Sequence, residues 1–288
     1  MNEIEKFEQD NFEKLDKFIS KIKKENIYFY NRLIKQMDIY IDKQGVFNPT
    51  KDFYSFLDLL IKDNYKLFKS EIKAFLDDAT IDNYYFWFYL YKDGQPEILD
   101  NKTKNEIINR TNTEKTLINV INKNESKSNK KISKTIRNLV ILGKSAEFIM
   151  KITEKNIKTN SYFQERITDT ETTRILTEAR NEANKSLNLD KVWVSTIDKK
   201  TRDTHRSLDG QKTNEYFVSR SGSIGLGPGK MNSSKENINC RCRYILESNR
   251  IQSEAQRRIR IATGAEFGVN VVKEYKTFED YKKLYKII

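Results

Sequence analysis

The fold of the C-terminal part is decided by a window that opens with Lys191-Val-Trp-Val-Ser-Thr-Ile197 and closes with Asn239-Cys-Arg-Cys-Arg-Tyr-Ile-Leu246. Between these ends lie Thr201-Arg-Asp-Thr-His-Arg-Ser-Leu-Asp-Gly-Gln211 and the glycine-rich Ser221-Gly-Ser-Ile-Gly-Leu-Gly-Pro-Gly229. Both cysteines, the only histidine and five of the ten glycines fall within residues 193–246. The opening segment alternates in side-chain character, which predicts a half-buried strand. The remainder predicts short strands, tight turns and one helical turn around the histidine.

The two cysteines are separated by one residue. In a strand, Cys240 and Cys242 would share one face, with Cα atoms ~6.6 Å apart at a rise of ~3.3 Å per residue. That separation is at the far limit for a disulfide. Two thiolates on one face, together with His205, instead offer three ligands of the kind that zinc accepts. The fourth ligand would be one of three aspartates, Asp198, Asp203 or Asp209.

A purely structural role is the alternative for these residues. The cysteines are then small buried hydrophobes, and His205 is a hydrogen-bonded core residue that holds the turn at Asp209-Gly210. In that turn Gly210 supplies the positive φ. The sequence predicts no enzyme, because it contains no complete catalytic constellation and a nucleophilic thiol also needs a cleft.

Polar residues around the histidine suggest a local framework. Asp198 or Thr201 can cap the short helix that carries His205, and Arg202 and Arg206 lie four residues apart and point the same way. The loop at 222–229 matches neither the dinucleotide nor the P-loop spacing. It predicts a mobile surface loop.

Charge is distributed unevenly along the chain. Residues 1–100 carry 15 basic and 19 acidic side chains, residues 101–160 carry 14 and 5, and residues 161–288 carry 24 and 17. The net charges are therefore −4, +9 and +7, within a total of +12. An acidic first third joined to a basic remainder suggests partners of opposite sign, with double-stranded DNA as the polyanion. The other interpretation is that the lysines only solvate helix faces.

Arginines cluster towards the end of a chain that is otherwise rich in lysine. Arginine suits bidentate contacts with phosphate. Contacts of this kind would be independent of DNA sequence and strongly dependent on salt. These arginines would equally suit ion pairs inside a larger assembly or with neighbouring chains. The residues concerned are Arg241, Arg243, Arg250, Arg257, Arg258 and Arg260.

Apolar side chains spaced by three, four and seven residues predict helices before the window. The first extends over residues 3–43 with an interruption near Asn26, and the aromatic run Tyr84–Tyr91 predicts core packing. Residues 122–131 contain no apolar side chain, which predicts a solvated hinge or an exposed loop. Further predicted helices cover residues 53–76, 104–121, 132–158, 162–187, 254–261 and 278–287, with an edge strand at 269–272.

These elements predict an α+β protein, with a mainly α N-terminal region followed by a small α+β domain of short antiparallel strands. The predicted divisions are an acidic helical region at 1–100, a basic helical region at 101–160 and the α+β domain at 161–288. No secretory signal is expected, since the N-terminus is acidic and lacks an apolar core. The longest apolar run, Tyr84–Tyr91, falls far short of the ~20 residues needed to cross a bilayer.

The order of motifs resembles the phage minor head protein family, with its Mu F-like head-morphogenesis domain. The matching pieces are Trp193, the segment from Asp198 to His205, the turn Leu208-Asp-Gly-Gln211 and the ending Asn239-Cys-Arg-Cys242. The preceding helix, Thr172–Lys185, is similar to the lead-in of the family. The resemblance covers roughly residues 165–250.

The resemblance implies a protein of the virion, in the head interior or near the portal, that is assembled in the host cytoplasm. Its implied partners are the portal protein, capsid or scaffold proteins, and DNA during packaging and ejection, with no membrane. A competing hypothesis is a metal-dependent hydrolase or nuclease that uses His205, Cys240, Cys242 and Asp203, with zinc as the cofactor. Domains of this family also occur fused to toxins, but the 46 residues after Cys242 are too few for a separate toxin domain.

Overall fold

The computed structural model describes residues 3–91, 96–109, 116–196, 198–247 and 278–287. The helices are α1 (Glu3–Asp38), α2 (Lys51–Tyr91), α3 (Asn101–Asn109), α4 (Leu117–Ile141), α5 (Ala146–Leu187), α6 (Asp203–Arg206), α7 (Ser234–Asn237) and α8 (Phe278–Leu284). The strands are β1 (Asp190–Val194), β2 (Lys212–Thr213), β3 (Phe217–Val218), β4 (Ile224–Gly225) and β5 (Arg243–Glu247). This order confirms the predicted class, a mainly helical N-terminal region followed by short antiparallel strands.

The chain packs into two compact units. The helical unit comprises Phe7–Phe75 and Asn112–Thr168, and the sheet unit comprises Met1–Lys6, Leu76–Thr111 and Asp169–Ile288. The division at residues 100 and 160, which rests on charge and sequence pattern, stays a prediction. The predicted helix at 254–261 and edge strand at 269–272 lie outside the described residues.

Helix α1 is continuous through Asn26, so the predicted interruption there is wrong. Asn26 is buried, and its Nδ2 donates to the Ile22 carbonyl at 2.9 Å and to Gln164 Oε1 at 2.7 Å. These two acceptors satisfy both hydrogens of the Asn26 Nδ2 group inside the helix. The helix ends before a turn in which Asp42 Oδ1 accepts from the backbone N–H groups of Gln44 and Val46, both at 2.9 Å.

The polar segment 122–131 is helical, which corrects the predicted hinge or loop. It lies in the middle of α4, between the buried Ile121 and Ile132. Its inward position is Ser128, whose hydroxyl donates to Asn160 Oδ1 at 2.6 Å and lies 3.0 Å from Tyr65 Oη. The segment therefore stays helical, because a small polar residue at the buried position has partners and the lysines face solvent.

Two predicted helices have different bounds. The helix predicted over 132–158 is broken after Ile141, where Gly143 has a φ of 61°. Lys144 N there donates to the Leu139 carbonyl at 3.0 Å, as in a glycine-dependent helix end. The helix predicted over 104–121 ends at Asn109, and α4 begins at Leu117. The helix predicted over 162–187 is confirmed as the second half of α5.

The sheet unit is built around an aromatic core and one small sheet. All residues from Tyr84 to Leu90 are buried, which confirms the predicted core packing. The predicted final helix is confirmed as α8, whose Phe278 ring lies 5.3 Å from the Phe86 ring. The three-stranded antiparallel sheet has the order β2-β1-β5, with Trp193 opposite Tyr244.

Strand β1 is more deeply covered than the predicted half-buried strand. Residues 191–194 are all buried. Strand β5 begins only at Arg243, so the two cysteines precede it. The predicted alternation still holds in the burial, since Cys240, Cys242 and Tyr244 are buried whereas Arg241 and Arg243 are half-buried.

The end of the glycine-rich loop is buried, so the predicted surface loop is wrong there. Pro228 accepts a hydrogen bond of 2.7 Å from Thr177 Oγ1 of α5. A Cβ atom added to Gly229 would lie 2.8 Å from the backbone nitrogen of Arg174, and one added to Gly227 would lie 2.8 Å from the Tyr244 ring. These glycines let the loop approach α5 and β5 more closely than any side chain would allow.

Candidate metal centre

His205, Cys240 and Cys242 converge in the sheet unit. His205 lies on α6, and the cysteines lie in the segment that leads into β5. His205 Nδ1 is 3.5 Å from Cys240 Sγ and 3.4 Å from Cys242 Sγ. The three potential ligand atoms all lie within 4.8 Å of one another. The residues are 2%, 1% and 5% exposed, respectively.

The other ring nitrogen of His205 faces a buried carboxylate. Nε2 lies 2.8 Å from Glu236 Oε2, on α7. Glu236 is itself held, because Oε2 accepts from Thr204 Oγ1 at 2.9 Å and Oε1 accepts from Ser221 Oγ at 3.0 Å. A carboxylate in this position favours the tautomer with hydrogen on Nε2, which leaves the Nδ1 lone pair directed at the two sulfurs.

The two cysteines are chemically unequal. A hydrogen bond from Cys240, with a smaller effect from His205, lowers the pKa of Cys242 to about 4 in spite of its burial. The same hydrogen bond, together with burial, raises the pKa of Cys240 well above its ordinary value. Burial acts to raise the pKa of Glu236, but hydrogen bonds from Thr204, Ser221 and His205 hold it below its ordinary value. The lowered pKa values of Cys242 and Glu236 favour negative charge on opposite sides of the imidazole ring.

Threonine hydroxyls fix the backbone that carries the cysteines. Thr173 Oγ1 donates to the Cys240 carbonyl at 2.7 Å, and Thr196 Oγ1 donates to the Arg241 carbonyl at 2.6 Å. Thr170 Oγ1 accepts from Asn239 N at 3.2 Å, where Asn239 has a φ of 55°. These contacts set the direction of both thiols independently of any bond between the thiols and His205.

Strand β1 holds the histidine from the other side. The Trp193 indole meets the His205 ring edge to face, with centroids 5.5 Å apart. Trp193 Nε1 donates to Ser195 Oγ, which donates to the His205 carbonyl at 2.6 Å. The turn at Gly210, with a φ of 78°, is tied to β1 by the bond from Gly210 N to the Trp193 carbonyl.

The three aspartates considered as a fourth ligand have other contacts. Asp203 has a side chain that is 96% exposed and lies 3.3 Å from Arg206. Asp198 binds Arg241 through two contacts of 2.6 and 2.8 Å, which lower the pKa of its carboxyl. Asp209 Oδ1 accepts from Ser195 N at 2.7 Å. Among the described residues, the group of possible metal ligands contains only the histidine and the two cysteines.

The predicted cap of α6 is wrong. Its N-cap is Arg202, whose side chain makes no capping hydrogen bond and instead donates to the Ile238 carbonyl at 2.6 Å. Asp198 accepts from Lys200 N at 2.8 Å, and Thr201 Oγ1 donates to the Thr196 carbonyl. Asp198 and Thr201 therefore fold the turn before α6 and do not cap the helix.

Only two of the six arginines predicted to contact DNA lie within the described residues. Arg241 is bound by Asp198, and the half-buried Arg243 pairs across the sheet with Val194. The other four lie outside the described residues: Arg250, Arg257, Arg258 and Arg260.

The sequence pattern did not predict several residues that form the site. Glu236 is one, because its role depends on the position of α7. The others lie at helical spacing on α5. Four of them contact residues 228–244, and Asn184 contacts Leu189 just after the helix. This polar stripe was a usable signal. Its members are Thr170, Thr173, Thr177, Asn181 and Asn184.

The fold and the cluster define a class of protein: a helical chain with a small antiparallel α+β domain that closes around a buried histidine and two thiols. Residues 130–245 match the model of the family described as Phage Mu protein F like protein. Over these residues the chain is similar to the Phage Mu F-like family, which confirms the resemblance predicted from the window. The match begins within α4, well before residue 165.

One similar protein matches over most of the chain. It is "Minor head protein GP7" of Bacillus phage SPP1, which is 25% identical over 267 residues, 88% of this chain and 80% of the relative. The family and this relative agree on the coarse class, a minor head protein of phage heads with a part in head morphogenesis.

A second similar protein matches over a shorter stretch. It is "NAD(+)--arginine ADP-ribosyltransferase EFV" of Enterococcus faecalis, which is 34% identical over 101 residues. The match covers 34% of this chain but only 18% of the enzyme, so it carries no argument for the enzyme's activity. No solved structure matches the chain. Within the described residues, no helix has the length and apolar character needed to cross a membrane.

Proposed function

We propose that this chain is a minor head protein that joins the procapsid next to the portal protein and contacts double-stranded DNA. The observation that carries the proposal is the similarity to a minor head protein over 88% of the chain. The match extends far beyond the window and includes most of the acidic N-terminal segment. That segment would bind the portal or capsid protein, and the basic remainder would bind DNA.

The described surface offers a basic face for DNA on α4. The helix buries its apolar side within the helical unit and exposes a row of lysines. Regularly spaced lysines bind phosphate without reading the base sequence. The exposed lysines are Lys123, Lys127, Lys130, Lys131 and Lys134.

Portal binding is tested by sedimentation of the purified chain with procapsids that contain or lack the portal protein. We expect the chain to sediment only with portal-containing procapsids. Equal sedimentation with both would move the binding site to the capsid shell, and sedimentation with neither would contradict the assembly role.

DNA binding is tested by fluorescence anisotropy with two duplexes of unrelated sequence between 50 and 200 mM salt. We expect equal affinities and a strong salt dependence. The variant with Lys127→Glu, Lys130→Glu and Lys134→Glu should bind at least about tenfold more weakly, because each substitution removes a phosphate contact. The matched control makes the same charge change on α1, with Lys17→Glu, Lys24→Glu and Lys35→Glu, and should bind more tightly than the α4 variant. Equal losses in both variants would contradict a DNA face on α4.

A metal-dependent hydrolase or nuclease that uses His205, Cys240 and Cys242 remains the second candidate. The convergence of these three residues favours it. Their burial and the position of Asp203 at the surface count against it, since a substrate needs an open path to the reacting atoms. Metal-dependent cleavage of DNA that is lost in His205→Ala would support this candidate.

A further inference from the structure

We propose that His205 Nδ1, Cys240 Sγ and Cys242 Sγ bind one zinc ion, with a fourth position for a water molecule or another small ligand. The site would join α6 and the segment that leads into β5, which are 35 to 37 residues apart in sequence.

The first argument is the spacing of the ligand atoms. Tetrahedral zinc, with bonds of ~2.3 Å to sulfur and ~2.05 Å to nitrogen, places a sulfur and a nitrogen ligand ~3.6 Å apart. The observed separations of 3.5 and 3.4 Å between Nδ1 and the two sulfurs are close to this value. A small outward movement of either sulfur would complete the geometry.

The second argument is the limited bonding capacity of Nδ1. A neutral imidazole nitrogen carries either one hydrogen or one lone pair, so it makes one directed hydrogen bond. Two sulfurs at nearly equal distances from Nδ1 cannot both be satisfied by that single bond. A zinc ion between the three atoms satisfies all of them, because it binds both sulfurs and the nitrogen at once.

The third argument is the carboxylate behind the histidine. Glu236 Oε2 lies 2.8 Å from Nε2, the position from which a carboxylate commonly orients a metal-binding histidine. Its own two hydroxyl partners fix its position. Glu236 is therefore a positioning residue and not a metal ligand.

The test measures metal in the full chain, purified without chelator from zinc-supplemented medium. We expect close to one zinc ion per chain by mass spectrometry of the metal. After replacement by cobalt, the protein should show the intense near-ultraviolet absorption of cobalt–thiolate bonds and the visible bands of tetrahedral cobalt. Folded wild-type protein that takes up neither metal would overturn the proposal, as would a disulfide between Cys240 and Cys242 in freshly purified protein.

Variants identify the ligands. Zinc content should fall to background in His205→Ala and in Cys242→Ser, whereas the neighbouring control Asp203→Ala should keep its zinc. Glu236→Gln should stay folded and bind zinc about 10- to 100-fold more weakly, as expected for a carboxylate that orients a ligand. Retention of zinc in folded His205→Ala would overturn the proposal. If the ligand variants do not fold, the cobalt spectrum of the wild-type chain decides. All these measurements use the free chain, so their outcome is independent of head assembly.

Discussion

At the scale of single residues, the least expected finding is a buried arginine that links α5 to α3 by hydrogen bonds. Arg174 is 1% exposed, and its Nε donates to Glu171 Oε2 at 2.7 Å. Its two terminal nitrogens donate to the carbonyls of Ile107 and Ile108, each at 2.8 Å, near the end of α3. The planar guanidinium thus satisfies a buried carboxylate and two helix-end carbonyls together.

Replacement of this arginine should be costly. Arg174→Met keeps most of the apolar stem but removes the cation beside the buried Glu171, so we expect a loss of about 3–5 kcal/mol in the free energy of unfolding. Urea denaturation measures it. The control Lys185→Met removes a surface ion pair on the same helix and should cost less than about 1 kcal/mol. Equal effects of the two substitutions would contradict a connecting role for Arg174.

A second residue gives the helical unit a dependence on pH. Burial and the neighbouring Glu71 raise the pKa of Glu25 to about 7. A carboxyl whose folded pKa is raised stabilises the fold fully below its unfolded pKa, and this contribution is lost as the pH rises through about 7. Because Glu25 is only half-buried, solvent screens its charge, and we expect its contribution to be on the order of 1 kcal/mol.

Glu25→Gln should therefore be more stable than the wild type at pH 8 and lose that advantage at pH 5. Urea midpoints of both proteins at the two pH values provide the measurement. Parallel pH profiles of the two proteins would show that Glu25 does not carry this dependence.

At the scale of elements, the glycine-rich loop is the clearest case of close packing. Gly222 and Gly229 both have positive φ, 77° and 75°, but only Gly229 is pressed against α5. Gly222→Ala should cost about 1 kcal/mol, for the backbone conformation alone. Gly229→Ala should cost more than about 2 kcal/mol, because its Cβ would also meet backbone atoms of Arg174 at 2.8 and 2.9 Å. Thermal denaturation distinguishes them, and equal losses would mean that the loop is not packed on the helix.

Elements with a strong periodic pattern were predictable from the sequence, whereas polar positions inside helices misled the prediction. Asn26 and Ser128 are each buried with side-chain partners more than 30 residues away. A local pattern does not contain such partners, so polar residues inside a helix resemble an interruption or a hinge. Gly143, in contrast, was a readable signal for the end of a helix.

The grouping of His205 with the two cysteines was predictable from the sequence, whereas the residues that support the group were not. The rarity of histidine and cysteine in the chain was enough to group His205 with Cys240 and Cys242. The cap prediction was wrong, and none of the three aspartates joins the group, because aspartate is common and its direction depends on the turn. Glu236 could not be chosen, since its contact with His205 requires α6 and α7 to be packed together.

At the scale of the whole molecule, the charged segments and the packed units follow different divisions of the chain. The helical unit combines residues from the acidic first third with residues from the basic segment. The family match likewise begins inside α4 and continues through the sheet. Regions for protein and DNA contact are therefore better sought on individual helix faces than on consecutive segments.

The central claim is that this chain is a component of phage heads, and the most direct measurement is its abundance in purified particles. Procapsids and mature heads assembled in cells that express the chain would be purified on density gradients and quantified by mass spectrometry. We expect the chain in both, in far fewer copies than the major capsid protein. Its absence from procapsids and mature heads, with the chain soluble and folded in the same cells, would contradict the account.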